Sequence, residues 1–344
     1  MQKVMKKMLK LLLYPVLFIV SVVILLLIYF NLPVKTPAKD FNLGVTFSAR
    51  YAEEIGLDKK QVLQAILGEL DAKIVRIPLY WDKIEPEKDV YDFSEIDWQL
   101  DELESRHAKA ILVIGQKVPR WPECFIPAWV GGDDGVRKQE LVELVGKVVD
   151  HYKGNNAILY WQVENEPFLA FGVCPKIDPN LLDLEIATVR AIDSNRKIII
   201  TDSGELSLWI QAARRADIFG TTMYRSVVSA KYGGIAFDYP IGPNFFLFKK
   251  WLIGKFAHQD NIMIVELQGE PWLNGWTTDK PLEEQLRSMN SEKLRSNVEF
   301  AEKTGFSPIL LWGSEWWYWL KVKQDYPQLW DEAKLLFQTA NTVK

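Results

Sequence analysis

Two stretches of the chain combine residue types that together could break a glycosidic bond. Residues 161–168 read WQVENEPF and residues 264–272 read IVELQGEPW. In each, a glutamate closes an apolar run with the β-branched, aromatic character of a strand, Glu166 in the first and Glu266 in the second. A carboxylic acid can protonate the leaving oxygen of a glycoside, while a second carboxylate attacks the anomeric carbon or activates water. The two roles demand different proton affinities, which only different surroundings can supply. These glutamates are far apart in the sequence, so the fold has to bring them to one place.

The elements that would do so alternate along the chain. Strand candidates are NLGVTF (42–47), AKIVRIPLY (72–80), KAILVIG (109–115), AILYWQV (157–163), KIIITD (197–202), ADIFGTTMY (216–224), NIMIVEL (261–267) and SPILLWG (307–313). Segments of helical period lie between them, such as KKQVLQAILGEL, with Val62, Ile66, Leu67 and Leu70 on one face. Ser94 followed by Asp97 reads as a capping box opening another helix. Eight strands alternating with helices predict an α/β chain folded as a (β/α)₈ TIM barrel over residues 41–344. A doubly wound sheet would show a Gly-rich turn after its first strand, and GVTFSARYAEE has none.

A barrel presents its chemistry where strands end and βα loops begin. There the sequence delivers Arg76 on the second strand, Gln116 and Trp121 after the third, and Asn165 and Glu166 on the fourth. Tyr224 follows on the sixth, Glu266 on the seventh and Trp312 on the eighth. The paired NEP and VELQGEPW motifs, with RIPLYWDKIEPEKDVYDFSEID as the second βα unit, resemble the clan A retaining glycoside hydrolases. These include cellulase-like, β-mannanase-like and β-galactosidase-like families, and the resemblance spans roughly residues 42–320. It implies Glu166 as general acid/base, Glu266 as nucleophile and Asn165 as the partner of the sugar 2-hydroxyl. Tyr224 would steady the nucleophile, Arg76 would stand beside it, and Trp312 would lie under the sugar. Trp121 and Gln116 are further substrate-binding candidates. Many relatives carry a histidine near the end of the third or sixth strand; this chain has none there, and Gln116 or Lys117 stands at the first position. Retention would place the carboxyls about 5–5.5 Å apart.

Glu164 is read as a buried charge paired with Arg76, because a buried charge needs a partner. Glu205, Glu270 and Glu315 are either sugar contacts or solvated loop charges. The chain has 14 tryptophans, which serve as core or as stacking platforms for a flat ligand. Two alternatives share the same residues: a catalytically inactive carbohydrate-binding scaffold, and a transglycosidase that passes the glycosyl unit to a sugar acceptor.

The net charge of −4 gives no basic footprint for nucleic acid. The three histidines, His107, His151 and His258, are scattered without metal-ligand spacing, so neither metal nor cofactor is expected. Lys3, Lys6, Lys7 and Lys10 form a basic tail (1–10) before an apolar segment (11–32) long enough to span a bilayer. By the positive-inside rule the tail stays cytoplasmic and the barrel is extracytoplasmic, at the cell surface or in the periplasm. The segment is read as an uncleaved signal-anchor, with TPA at 36–38 as the rival cleavage pattern and residues 33–40 as a tether. Export permits a disulfide, and Cys124 and Cys174 follow adjacent strands on the same face, so they are expected to pair. KYGGIAFDYPIGPNFF (231–246) is either a wall or lid of the cleft or a membrane-proximal patch.

Overall fold

The structure, a computed structural model, describes residues 2–35, 41–229 and 235–342. The TPA pattern, the end of the tether and residues 231–234 of the glycine-punctuated stretch lie outside the described residues. The chain forms β1 (Leu43–Thr46), β2 (Ile74–Pro78), β3 (Lys109–Ile114), β4 (Ile158–Val163), β5 (Ile198–Asp202) and β6 (Ile218–Met223). A two-stranded antiparallel hairpin follows, β7 (Ser226–Ser229) and β8 (Ile235–Asp238), then β9 (Ile262–Gln268) and β10 (Ile309–Trp312). The eight parallel strands close into a barrel, with β10 beside β1 and β6 beside β9, as the alternation predicted. Each expected strand lies within two residues of its reading; the hairpin was not anticipated. The capping-box reading of Ser94 is corrected. Ser94 is the first helical residue, and the Asp92 carboxylate accepts from its N–H at 2.9 Å.

The barrel interior changes character along its height. Ile111, Ile199, Ile218, Met263, Val265 and Leu310 form a buried apolar cluster, with Ile74 and Tyr160 against it. A strand returns to the same face every second residue. One step above Ile74, Tyr160 and Ile199 therefore stand Arg76, Gln162 and Thr201, all fully buried. The apolar layer closes the floor, and the polar layer above it begins the site.

β9 departs from regular pairing in a way that matters for that site. Thr221 and Thr222 on β6 face Ile264 and Glu266, and Ile309 and Leu311 on β10 face Ile264 and Leu267. β9 thus carries one residue more than either neighbour, a bulge that re-aims the side chains above it. The Thr46 hydroxyl donates to the Val265 carbonyl at 2.9 Å, filling an acceptor at the bulge.

Seven of the 14 tryptophans belong to the buried core: Trp81, Trp161, Trp209, Trp316, Trp317, Trp319 and Trp330. Cys124 and Cys174 form a disulfide joining the loops after β3 and β4. The helix Gln2–Phe30 stands apart from the barrel over most of its length. Its window Leu13–Phe30 has a mean hydropathy of 2.8, and only 6% of it is buried.

Candidate active site

Arg76 is the hub of the barrel mouth. Its side chain is fully buried, and its planar fork is spent on four neighbours. Nη1 donates to Glu266 Oε1 at 2.7 Å and to Thr46 Oγ1 at 3.4 Å. Nη2 donates to Asn165 Oδ1 at 2.8 Å and Nε to Gln162 Oε1 at 2.7 Å. One guanidinium therefore sets the position of residues from β1, β4 and β9. The other oxygen of Glu266 accepts from Tyr224 Oη at 2.9 Å. Burial and the adjacent Glu266 charge push the Tyr224 phenol well above its ordinary range, so it remains a donor.

The turn after β4 is built against backbone preference. Glu164 and Glu166 both have positive φ, 57° and 45°, in the left-handed region that non-glycine residues seldom occupy. The surroundings enforce it. Glu166 N–H donates to Thr201 Oγ1 at 2.8 Å, and Thr222 Oγ1 donates to Glu166 Oε1 at 3.0 Å. Burial first, then the charges of Glu266 and Glu123, push Glu166 well above the usual carboxylate range. Glu166 and Glu266 thus sit in unlike surroundings. Glu266 is held by an arginine and a phenol, while Glu166 is buried with a hydroxyl and has its proton affinity raised.

Glu164 does not pair with Arg76 as expected. Its carboxylate accepts from the backbone N–H groups of Gln116 and Lys117 at 2.9 and 2.8 Å, and it shares a buried contact with Glu185. Gly115, at φ 127°, makes room for it: a Cβ there would lie 2.5 Å from Glu164 Oε1. Glu164 is thus a brace between the turns after β3 and β4. Gln116, expected in the site, has its side-chain amide on Arg137 of the helix Asp134–Tyr152, turned away from Glu166 and Glu266. Lys117 lies nearer, its ammonium donating to the Glu166 and Leu169 carbonyls at 3.0 and 2.8 Å.

Residues the sequence reading did not single out complete the mouth. Glu123 accepts from Asn165 Nδ2 at 3.1 Å, and burial pushes it up to about 8. Arg120 reaches across the opposite side, ion-paired to Glu270 and, at 3.3 Å, to the fully buried Glu315. Its guanidinium lies 4.0 Å from the centre of the Trp312 ring, and Trp312 Nε1 donates to Glu270 Oε1 at 2.7 Å. Trp312 therefore has one face covered by Arg120, which leaves the other for the sugar contact that the resemblance implies. Among the described residues, Glu270 Oε2 and Arg120 Nε are buried with no hydrogen-bond partner. Of the other loop acids, Glu205 accepts from the Tyr224 N–H at 3.0 Å. Trp121 stands at the rim, 59% exposed, and rings continue from it through Phe171 and Trp272 to Tyr224, with centroids 5.2–6.1 Å apart. Arg120 and Glu123 sit in the aperiodic loop after β3; their only sequence signal is two charges among prolines and aromatics.

A family model described as cellulase (glycosyl hydrolase family 5) matches residues 38–243. No curated protein sequence matches. Among solved structures, xylanase 10B from Thermotoga maritima is similar with a TM-score of 0.56 at 15% identity, over 88% of this chain and 97% of that one. The β-galactosidase from Bacillus circulans sp. alkalophilus is similar with a TM-score of 0.59 at 11% identity, over 88% of this chain and 56% of that one. The exo-β-1,4-mannosidase Op5Man5 from Opitutaceae bacterium strain TAV5 gives 0.51 at 14% identity, over 79% and 51%. The chain spans between 40% and 59% of the length of the β-galactosidases it resembles. At these identities the structures share the barrel. The family match is different in kind: it takes in more than half of the chain, running through the first six barrel strands and the NEP turn of β4. On that match the chain belongs to the cellulase family, glycosyl hydrolase family 5.

Proposed function

We propose that the chain is a membrane-anchored, extracytoplasmic glycosidase that cleaves β-linked oligo- or polysaccharides by double displacement, with Glu266 as nucleophile and Glu166 as acid/base. The observation that carries the assignment of roles is the unequal setting of the two glutamates. Glu266, held by Arg76 and Tyr224, is presented as a fixed carboxylate. Glu166, raised by burial and by neighbouring negative charge, keeps a proton to give. Glu266 attacks the anomeric carbon as the bond to the leaving oxygen breaks, and that oxygen takes the Glu166 proton. Water then gives a proton back to Glu166 and attacks the same carbon, releasing Glu266. Asn165, its oxygen pinned by Arg76 and one N–H on Glu123, has a second N–H for a sugar 2-hydroxyl. The unpartnered atoms of Glu270 and Arg120 are where further hydroxyls would complete the bonding. Trp121, Phe171 and Trp272 offer ring faces for the rest of a sugar chain. The apolar helix with its lysine-rich flank supports anchoring with the barrel outside.

The test is a panel of aryl β-glycosides and short β-glucans and mannans, given to the full chain in detergent. Glu266→Gln should lower kcat/KM on the order of 10⁴-fold. Glu166→Ala should still release good leaving groups and, with azide, yield the β-glycosyl azide; Glu266→Ala with azide should yield the opposite anomer. A first-formed product of inverted configuration, or azide products with the two anomers exchanged, would overturn the roles. Added sugar acceptors separate transfer from hydrolysis by their products.

A further inference from the structure

Between β6 and β9 the chain makes the hairpin β7–β8 and then the helix Pro243–Phe256, PNFFLFKKWLIGKF. The end of the apolar N-terminal helix is fastened to the start of this segment. Asn31 Nδ2 donates to the Pro240 carbonyl at 3.0 Å, and Asn244 Nδ2 donates to the Leu32 and Tyr29 carbonyls at 2.9 and 3.2 Å. The Phe30 ring meets Phe245 and Phe248 with centroids 5.3 and 6.0 Å apart. Gly242 lets the two backbones approach: a Cβ there would lie 2.3 Å from the Phe30 carbonyl oxygen. An anchor on a loose tether needs none of these contacts.

The aromatic surface continues outward from that junction. Phe248 stacks on Trp251 at 5.7 Å, and Trp251 and Phe256 are each 53% exposed. Positions 248, 251, 252, 255 and 256 follow the i, i+3, i+4, i+7, i+8 pattern of one helical face, with Lys255 on it and Lys250 at its flank. Aromatic rings with lysines at the margin are what a helix lying in a bilayer interface presents.

This segment also borders the mouth. Tyr239 N–H donates to the Arg225 carbonyl at 3.0 Å, and Arg225 N–H donates to Gln268 Oε1 at 2.9 Å, two residues beyond Glu266. We infer that the face of the helix Pro243–Phe256 around Phe248 and Trp251 is a second membrane contact, resting on the lipid surface that the N-terminal helix enters and holding the rim of the catalytic mouth there. The inference rests on the anchored reading above, because the lipid surface is placed by the helix that Phe30 ends.

The full chain, reconstituted in vesicles of phosphatidylcholine and phosphatidylglycerol, tests it. Both native cysteines are in the disulfide, so a single introduced cysteine takes an environment-sensitive fluorophore under non-reducing conditions. Trp251→Cys and Lys255→Cys sit on the proposed face, Ile19→Cys in the span, and Leu335→Cys on the exposed far helix Gln328–Thr342. The expected result is blue-shifted emission and quenching by doxyl lipids at 19, 251 and 255, but not at 335. Quenching at 19 with water-like emission at 251 and 255 overturns this inference and leaves the anchor standing. Water-like emission at 19 overturns the anchor and the inference with it. Spontaneous cross-linking through Cys at 251, without lipid quenching, assigns the face to a second copy and also overturns it.

Discussion

At the residue scale the site is a balance of charges under one roof. Arg76 answers Glu266, and Lys117 answers the backbone of the Glu166 turn, while Glu123 sits buried among them, pushed up to about 8. Glu123 has a consequence for pH. Its charge is among the causes that raise Glu166, after burial and Glu266. A general acid must be protonated to act, so under the proposed roles the alkaline limb of kcat/KM falls as Glu166 loses its proton. Removing a neighbouring negative charge lowers the proton affinity of Glu166, so Glu123→Gln should move that limb to lower pH. At the optimum the loss should be no more than about tenfold, the scale of the Asn165 hydrogen bond. A pH–rate profile checks this; a limb that stays in place or moves upward removes Glu123 from the acid's environment. The sequence showed Arg76, Asn165, Glu166, Tyr224 and Glu266 because strand ends are where a barrel puts its chemistry, and strands are periodic. It did not show Arg120 and Glu123, because the loop that carries them has no period to read. The face of Trp312 taken by Arg120 and the outward turn of Gln116 are choices of rotamer and loop path, which residue type alone does not decide.

At the scale of elements, β9 turns a regular barrel into a site. Eight strands were legible from alternation and β-branching. The extra residue at Val265 was not, since it changes pairing with β6 and β10 without changing composition. The bulge leaves Met263 and Val265 in the apolar floor and delivers Glu266 to Arg76 above it. Thr46, on the neighbouring β1, caps it through the Val265 carbonyl and also touches Arg76. Thr46→Val keeps the shape and deletes both contacts, leaving a buried carbonyl unpaired. The expected cost is about 1–3 kcal/mol of stability. Displacing Glu266, the proposed nucleophile, should also reduce kcat, by up to ~10²-fold. Urea unfolding and steady-state kinetics separate the two effects. A variant destabilised as expected but with unchanged kcat would show that Glu266 is positioned by Arg76 alone.

At the scale of the whole molecule, the apolar N-terminal helix, the proposed anchor, and the candidate catalytic mouth meet on one side. The helix Gln2–Phe30 ends against Pro240 and Asn244, and the same segment leads back through Tyr239 and Arg225 to the strand that carries Glu266. A barrel fixed with its rim at the bilayer reaches glycans carried on lipid headgroups at high effective concentration; one that swings on a tether does not. Gly242 is the place to separate the two arrangements. Its φ of −92° suits any residue, yet a Cβ there meets the Phe30 carbonyl oxygen at 2.3 Å. Gly242→Val should therefore lever the anchor off the barrel without touching Arg76, Tyr224 or either glutamate. With a soluble aryl glycoside, kcat and KM should match those of the parent chain. With a glycolipid in the vesicle that holds the enzyme, the rate should fall about tenfold or more. Equal losses on both substrates would mean that the substitution had disturbed the barrel. No loss on either would mean that the clasp between anchor and rim plays no part in presenting the substrate.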